Sequence, residues 1–174
     1  MTHEHTVEIR KFRPQEQEQV HRLVSSILKQ EFGLDESTYP ETDLSDIAGH
    51  YGGTRDIFLV AIANGSVVGT IAIKEDDKNS ALLRRIAVSP AFRGQGIAKQ
   101  LIIKAIEFCQ ENEYRIVHFR STQAMNAANQ LCGQNGFKLR ASMQLGATTM
   151  LKYTRRLRAA RRPAASKKSN KKND

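Results

Sequence analysis

The chain has 174 residues, of which 40% are hydrophobic and 26% are charged. This size suits one globular domain with a substantial core, and no apolar run approaches the roughly 18–20 residues that a membrane-spanning helix requires. The two cysteines, Cys109 and Cys132, lack CxxC or metal-ligand spacing, which argues against a disulfide scaffold and a metal site. The polar N-terminus lacks the apolar core of a signal peptide, so we expect a cytoplasmic protein.

The net charge of +9 is concentrated at the C-terminus. Residues 155–174 contain nine of the 27 lysines and arginines and one of the 18 acidic residues, which leaves 18 basic and 17 acidic residues in residues 1–154. We therefore divide the chain into a nearly neutral domain, 1–154, and a basic tail, 155–174, which we expect to be disordered. Such a tail can contact nucleic acid or acidic proteins weakly and in a salt-dependent manner.

Turn residues and hydrophobic periodicity predict the first elements. A strand over residues 7–12 precedes a helix that begins near Pro14, has an apolar face from Val20 to Leu28 and ends at Gly33. Residues 34–55 are polar and predict a long loop with a short helix over 44–50. The dipeptide Asn64-Gly65, between apolar runs 57–63 and 67–74, predicts a β-hairpin.

The second half of the chain alternates strands and helices. The pattern predicts a strand over 81–88, a helix over 95–112, a strand over 115–120, a helix over 124–135, and late strands from Phe137 onward and over 143–153. The fold class is therefore α/β (α+β mixed), with helices packed on one sheet.

The segment 82–109 carries the most specific signal. An apolar strand leads into Arg93-Gly94-Gln95-Gly96-Ile97-Ala98, and a helix follows at once. Glycines allow the backbone to approach a ligand, and the first helical turn presents unpaired N–H groups at the positive end of the helix dipole. These features predict a pyrophosphate site. The Gly-Lys-Ser/Thr of a Walker loop is absent, and so are the third glycine and the acidic residue of a dinucleotide fingerprint.

This segment closely resembles the Gcn5-related N-acetyltransferase (GNAT) family. The central motif of that family is Arg or Gln, two variable residues, Gly, one variable residue, and Gly or Ala, which Arg93, Gly96 and Ala98 match. Residues 83–90 resemble the fourth strand of the family, and Asn135-Gly136-Phe137 resembles its Gly-Phe after the last helix. The resemblance spans about residues 9–153. It implies a GNAT-like central twisted mixed β-sheet of about six to seven strands flanked by about four helices.

The resemblance also implies acetyl-CoA as a co-substrate, without a metal. The fourth and fifth strands are expected to splay apart, with the pantetheine arm in the gap. The implied cofactor contacts are Ile86, Ala87 and Val88 for the pantetheine, Arg93, Gly94, Gln95, Gly96, Ile97, Ala98 and Lys99 for the pyrophosphate, and Asn126 or, one turn later, Asn129. The alternative is a plain strand–turn–helix whose glycines only serve the turn.

Acetyl transfer requires that the amine lose a proton and that the leaving thiolate gain one. Many family members use a Tyr four residues before the Gly of Gly-Phe as general acid. That position is Cys132 here, which is either the general acid or a small buried apolar residue. The candidate bases are acidic residues of the loops, with a water path or plain solvated charges as the alternatives: Asp43, Asp46, Glu75, Asp76 and Asp77. His118 either faces the acceptor or is a buried, hydrogen-bonded strand residue.

The sequence therefore predicts an N-acetyltransferase that moves an acetyl group from acetyl-CoA to a primary amine. The acceptor could be a small molecule, a protein lysine or a protein N-terminus. The alternative is an acyl-CoA-binding domain whose basic tail binds nucleic acid or ribosomes, or which acts as a sensor. No membrane partner is expected. The resemblance leaves a monomer and a homodimer open, because dimers are common in the family but nothing in this sequence specifies an interface.

Overall fold

The computed structural model describes residues 6–33 and 39–159. One mixed sheet has the strand order β1-β2-β3-β4-β5-β7-β6. Its strands are β1 (Glu8–Lys11), β2 (Ile57–Ala63), β3 (Ser66–Glu75), β4 (Ser80–Val88), β5 (Ile116–Thr122), β6 (Lys138–Leu145) and β7 (Thr148–Arg156). The α-helices are α1 (Gln17–Phe32), α2 (Ile47–His50), α3 (Ile97–Glu111) and α4 (Asn126–Gln134). The predicted fold class is confirmed.

Helices α1 and α3 both pack on the central strands. Helix α1 buries Val20, Val24 and Ile27 at helical spacing, and α3 buries Leu101 and Ala105 in the same way. Every residue of β3 from 68 to 73 is buried, because helices cover both faces of this strand. A strand that is buried on both faces reads as a continuous apolar run rather than as an alternation, which explains the sequence of β2 and β3. In the described part of the chain, no helix is long and apolar enough to cross a membrane.

Local turn signals were reliable guides to the element ends. Pro14 opens a 3₁₀ turn that leads into α1, and Gly33 ends α1 with a φ of 58°. Asn64 and Gly65 both have positive φ, 50° and 77°, which suits the tight turn between β2 and β3. The predicted start, end and hairpin are therefore confirmed.

Strand β4 contains a bulge at Arg85, whose φ is 54°. Thr70 of β3 pairs with Ala87 and Ala72 pairs with Arg84, so β4 has one extra residue between these pairs. In a regular strand, successive side chains point to opposite faces. The bulge breaks this alternation and lets the neighbouring side chains of Arg84 and Arg85 both reach Asp43.

Strands β4 and β5 form a parallel pair that separates part-way along. They pair only over Ser80–Leu83 and Ile116–Phe119, although β4 continues to Val88 and β5 to Thr122. Strand β5 instead pairs with β7 along its whole length. The expected splaying of the fourth and fifth strands is therefore confirmed, and we call the point of separation the fork.

The C-terminal strands depart from the sequence prediction in two respects. The late strand predicted over 143–153 is wrong as a single element, because Gly146, with a φ of 60°, turns the chain between β6 and β7. The predicted boundary at residue 154 falls inside β7, and the N–H of Leu157 still donates to the carbonyl of Arg115 at 2.8 Å. Residues 160–174 of the predicted tail lie outside the described residues.

Candidate active site

A cleft of about 740 Å³ opens beside β4 beyond the fork. Its walls come from α1, from β4, from the turn that leads into α3, and from α4. The lining includes the predicted cofactor contacts Ile86, Ala87, Val88, Arg93, Gly94, Gly96, Ile97, Ala98, Lys99 and Asn126, but not Gln95. The volume lies in the range of ordinary cofactor and ligand sites, about 300–1,000 Å³.

The turn before α3 is built as an anion cradle. Gly94 and Gly96 have φ values of 75° and 77°, and a Cβ built on either glycine would meet no heavy atom within 4 Å. Helix α3 begins at Ile97. The N–H groups of its first turn have no hydrogen-bond partner within the helix, and they lie at the positive end of the helix dipole. The unpaired N–H groups of α3 and the open space beside Gly94 and Gly96 are therefore suited to binding a pyrophosphate.

The side chain of Arg93 joins this turn to two neighbouring elements. Its Nε donates to the carbonyl of Val88 at 3.0 Å, and its two terminal nitrogens donate to the carboxylate of Glu31 on α1 at 2.6 and 2.7 Å. The hydrogen bonds to Glu31 raise the pKa of Arg93. The guanidinium of Arg93 therefore links the turn to β4 and to α1. The groups of this segment that stay available for the predicted pyrophosphate contacts are backbone N–H groups.

A buried ion pair lies behind the fork. Arg85 donates to both carboxylate oxygens of Asp43, and the hydroxyl of Tyr51 donates to Asp43 at 2.5 Å. Burial alone would raise the pKa of Asp43, but the hydrogen bonds from Arg85 and Tyr51 and the charge of Arg84 hold it below its usual value. Asp43, a candidate base, is thus a charged partner of Arg85 with both oxygens occupied.

The face of the sheet on the side of α2 carries cations next to the fork, and we call this side of β4, β5 and β7 the open face. Lys74, Leu82, His118 and Thr154 pair in a row across four strands, and Lys74 donates to the carbonyl of His50 on α2. Paired residues share a face, so this row faces the side of α2. By alternation, three further cations lie on the same face: Arg84, Arg120 and Lys152.

His118 is a hydrogen-bonded strand residue, as one of the two alternatives predicts, and the alternative that it faces the acceptor stays a prediction. It is partly buried, its Nδ1 lies 3.0 Å from the hydroxyl of Thr154, and it also lies on the open face beside the fork. Burial lowers the pKa of His118, and the charges of Lys152 and Arg120 lower it further against the opposing effects of Asp76 and Asp77.

Residues 21–137, more than half of the chain, match the acetyltransferase (GNAT) family. The chain belongs to this family. The N-acetylaspartate synthetase of Danio rerio is 40% identical over 99 residues, which cover 56% of this chain and 35% of that protein. The N-acetyltransferase 8F1 of Rattus norvegicus is 31% identical over 107 residues, 59% of this chain and 48% of the relative. The chain therefore spans about a third to a half of the length of these curated relatives.

Solved structures of GNAT proteins share the fold. An acetyltransferase of the GNAT family from Staphylococcus aureus MU50 superposes with a TM-score of 0.77 and 25% identity, over 88% of this chain and all of that one. The PaiA N-acetyltransferase from Thermoplasma acidophilum, solved in complex with coenzyme A, has a TM-score of 0.73 and 18% identity and covers 87% and 99% of the two chains.

The predicted cofactor contacts lie together in the cleft, whereas the predicted general acid, Cys132, is absent from its described lining. Ten of the eleven predicted cofactor contacts line one cleft. Cys132 is fully buried in α4, is absent from the described lining of the cleft, and has a pKa raised by burial to about 12. Its role as general acid stays a prediction. Asn129 accepts from Ser121 at 2.5 Å and donates to the carbonyl of Thr122, so it fixes α4 to β5.

The other candidate bases lie in structural contacts. The carboxylate of Asp46 accepts from the N–H of Gly49 and caps α2. Glu75 forms an ion pair with Arg55 at 3.4 Å. Asp77 accepts from the N–H groups of Asn79 and Ser80, and Asp76 accepts from the hydroxyl of Ser80 at 3.3 Å, so these two residues shape the turn before β4.

Sequence reasoning missed the arginine at the bulge and the two cations across the fork. Arg84-Arg85 was the available signal, because two adjacent cations are unusual inside an otherwise apolar strand. Arg120 and Lys152 gave no such signal, because these two residues lie 32 positions apart in sequence and are brought together only by the pairing of β5 with β7.

Proposed function

We propose that this protein is an N-acetyltransferase that transfers the acetyl group of acetyl-CoA to a small primary amine. The observation that carries the proposal is the cleft at the fork, in which the exposed edge of β4 and the glycine cradle of α3 lie side by side. The pantetheine arm of acetyl-CoA would lie along the edge of β4, and its pyrophosphate would lie in the glycine cradle. Family membership supports the reaction type.

The chain's own residues would act mainly by orientation. Bound acetyl-CoA supplies the activated acyl group. The edge of β4 at Ile86–Val88 would hold the arm as an added strand, and the N–H groups from Gly94 to Lys99 would hold the pyrophosphate. A bound amine beside a bound thioester gains much of its rate from this placement.

We propose His118 as the group that accepts the proton of the amine. It lies on the open face beside the fork, and its lowered pKa keeps the imidazole neutral near pH 7. A neutral imidazole is the form that accepts a proton.

The names of the relatives support a small acceptor. Several are named N-acetylaspartate synthetase, and the match with each covers 56% of this chain. A small amino acid is therefore our preferred acceptor over a protein lysine or N-terminus. A cytoplasmic location, a homodimer and salt-sensitive contacts of the basic tail stay predictions from the sequence.

Calorimetric titration tests the proposal first. We expect acetyl-CoA to bind with a micromolar Kd, while ATP and NAD, which share the diphosphate but lack the pantetheine arm, do not bind. A thiol-release assay with a panel of small amines then measures turnover. Failure to bind acetyl-CoA would reject the proposal. Binding without turnover of any amine would favour the alternative of an acyl-CoA-binding domain that does not catalyse acetyl transfer.

A further inference from the structure

The two edges of the sheet differ in how they are protected against pairing with another chain. An edge strand exposes unpaired N–H and C=O groups, and proteins protect it by shortness, by charged side chains or by a bulge. Strand β1, at one edge, has only four residues, and three of them are charged. Strand β6, at the other edge, has eight residues, and all of them are exposed.

Only the first part of β6 carries protective features. Lys138 and Arg140 are cations. The register with β7 shifts after Leu139, which places a bulge at Arg140. From Ala141 to Leu145 the pairing with β7 is regular, and the sequence Ala-Ser-Met-Gln-Leu has no charge. We call this five-residue segment the uncharged edge.

Exposed apolar side chains are concentrated on the same strand. The described residues include four large hydrophobic side chains that are exposed: Ile103 at 43%, Leu139 at 51%, Met143 at 63% and Leu145 at 57%. Three of these four lie on β6. Because side chains alternate along a strand, Met143 and Leu145 share one face of the uncharged edge with Ala141, and the polar residues lie on the other face. An unprotected apolar edge of this kind is suited to pairing with another strand.

We propose that the uncharged edge pairs with the same segment of a second copy of this chain, antiparallel and about a two-fold axis at Met143. A two-fold contact uses one surface twice, so the segment must be complementary to itself. With Met143 opposite its own copy, Ala141 lies opposite Leu145 of the second copy, and Ser142 lies opposite its Gln144. Apolar residues then meet on one face of the joined sheet and polar residues meet on the other.

The features at both ends of the uncharged edge favour this position of the axis. An axis at Ser142 would place the bulged Arg140 opposite Gln144 of the second copy, inside the contact. An axis at Gln144 would place Ala141 beyond the end of the partner strand, since β6 ends at Leu145. A charged peptide would find no counter-charge on the uncharged edge, so a second copy is the better match.

The size of the contact predicts a weak dimer. Five residues of strand extend over about 17 Å, and a contact of this length buries much less than the roughly 800 Å² per partner of a stable complex. Both copies also carry the same net charge of +9. We therefore expect a Kd for the dimer of about 10–100 μM. Association should be tighter at about 0.5 M than at about 0.05 M salt, because salt screens the repulsion.

Sedimentation velocity of the full chain tests for the dimer. Between about 1 and 500 μM protein we expect the mass to rise from one chain to two and then to stop, because a two-fold contact closes. A protein that stays monomeric over this range would overturn the inference. A mass that rises beyond two chains, or association that weakens with salt, would also overturn it.

Substitutions of Met143 test the position of the axis. Met143→Lys places two cations directly opposite each other, and Met143→Glu places two carboxylates there, so each variant alone should raise the Kd of the dimer at least about tenfold. A mixture of the two variants should recover a dimer, because opposite charges then meet. Ile103→Lys, at the exposed apolar residue of α3, should leave the dimer unchanged. Dimerisation of both single variants, or a mixture no better than either variant alone, would overturn the pairing at Met143.

Acetyl-CoA affinity separates this inference from the proposed function. No residue of the uncharged edge lines the described part of the cleft, so both Met143 variants should keep the wild-type Kd for acetyl-CoA. Their melting temperatures should also stay near that of the wild type, because Met143 is exposed. If the wild type does not bind acetyl-CoA, the proposed function fails and the dimer at β6 is unaffected. If it binds acetyl-CoA but never dimerises, this inference fails alone.

Discussion

Asp43 and Arg85 form a buried ion pair, and a buried pair responds strongly when one partner is neutralised. In Asp43→Asn, the guanidinium of Arg85 would remain buried without its counter-charge, and Tyr51 would lose an anionic acceptor. We expect the variant to lose about 3–5 kcal/mol of unfolding free energy. Urea unfolding measures this loss. Glu18→Gln, which removes an exposed pair with Arg22 on α1, should cause no measurable change.

The same carboxylate predicts how stability depends on acid. The pKa of Asp43 is lower in the folded protein than in the unfolded chain, so its stabilising effect is complete above the unfolded pKa of about 3.9. The effect is lost as the pH falls from there through the lower folded value. We expect the wild type to lose more stability than Asp43→Asn below pH 4. Parallel acid dependences in the two proteins would contradict the ionised assignment.

His118 should give a pH-dependent rate. If it accepts the proton of the amine, kcat/KM falls as the pH drops through its lowered pKa, because the protonated imidazole no longer accepts a proton. His118→Gln should lower kcat by about 10²-fold or more and remove this limb of the pH profile. His21→Gln, at a half-exposed histidine of α1, is the control. A pH profile unchanged in His118→Gln would assign the proton to another acceptor.

Cys132 can be tested against the other buried cysteine. Burial raises the pKa of both Cys132 and Cys109 to about 12, which makes each thiol a weak acid. We therefore expect Cys132→Ala and Cys109→Ala to lower the melting temperature and to leave kcat within about threefold of the wild type, since each removes only a small buried group. A loss of kcat confined to Cys132→Ala would support the general-acid role that the family resemblance implies.

At the scale of elements, substitutions at two matched glycines distinguish an effect on acetyl-CoA binding from an effect on folding stability. Gly96 and Gly65 share a φ of 77°, and a Cβ at either position meets nothing within 4 Å. Alanine at both positions should therefore cost a similar backbone strain of about 1 kcal/mol. Gly96 lines the cleft, whereas Gly65 lies in the β2–β3 turn.

We expect Gly96→Ala to weaken acetyl-CoA binding by about tenfold or more, because the methyl group and the strained turn disturb the close approach of a pyrophosphate. Gly65→Ala should retain the wild-type Kd with a comparable fall in melting temperature. Calorimetric titration and thermal unfolding measure the two quantities. Equal affinities in the two variants would mean that the cradle does not contact the ligand.

The elements that sequence predicted well are those with local signals. The strand, glycine turn and helix of residues 82–109 depend on neighbouring residues, and all three occur near the predicted positions. The same holds for the Asn64-Gly65 hairpin. The turn at Gly146 escaped prediction because the surrounding residues of β6 and β7 are exposed or half-exposed, so burial imposes no clear alternation on them.

The inner part of the candidate site depends on contacts between distant residues. A positive φ is rare for arginine, and nothing next to Arg85 in the sequence signals it. The bulge is compensated by Asp43, 42 residues earlier, and by Thr70, whose hydroxyl donates to the carbonyl of Arg85 at 2.7 Å. Sequence could therefore predict the cofactor cradle, which is local, but not the ion pair at the fork.

At the scale of the whole molecule, the boundary of the folded domain determines how the basic tail can be studied. Arg155 pairs with Val117 on β5, and its Nη1 donates to the carbonyl of Asn135 at 2.7 Å. Leu157 bonds to Arg115 beyond the end of β7. A truncation after residue 154 would remove these interactions together with the tail, and it would confuse a folding defect with a loss of charge.

Two truncations separate these effects. Removal of residues 160–174 takes away six of the nine basic residues of 155–174 and none of the described contacts. We expect this variant to keep its melting temperature, its Kd for acetyl-CoA and its turnover of small amines, and to lose salt-sensitive retention on a DNA column. Removal of residues 155–174 should in addition cost about 2–4 kcal/mol of unfolding free energy, because several hydrogen bonds at the end of β7 are lost. If the shorter deletion abolishes turnover of small amines, the basic segment takes part in the reaction, and the assignment of the active site to the fork and its cleft must be extended to include it.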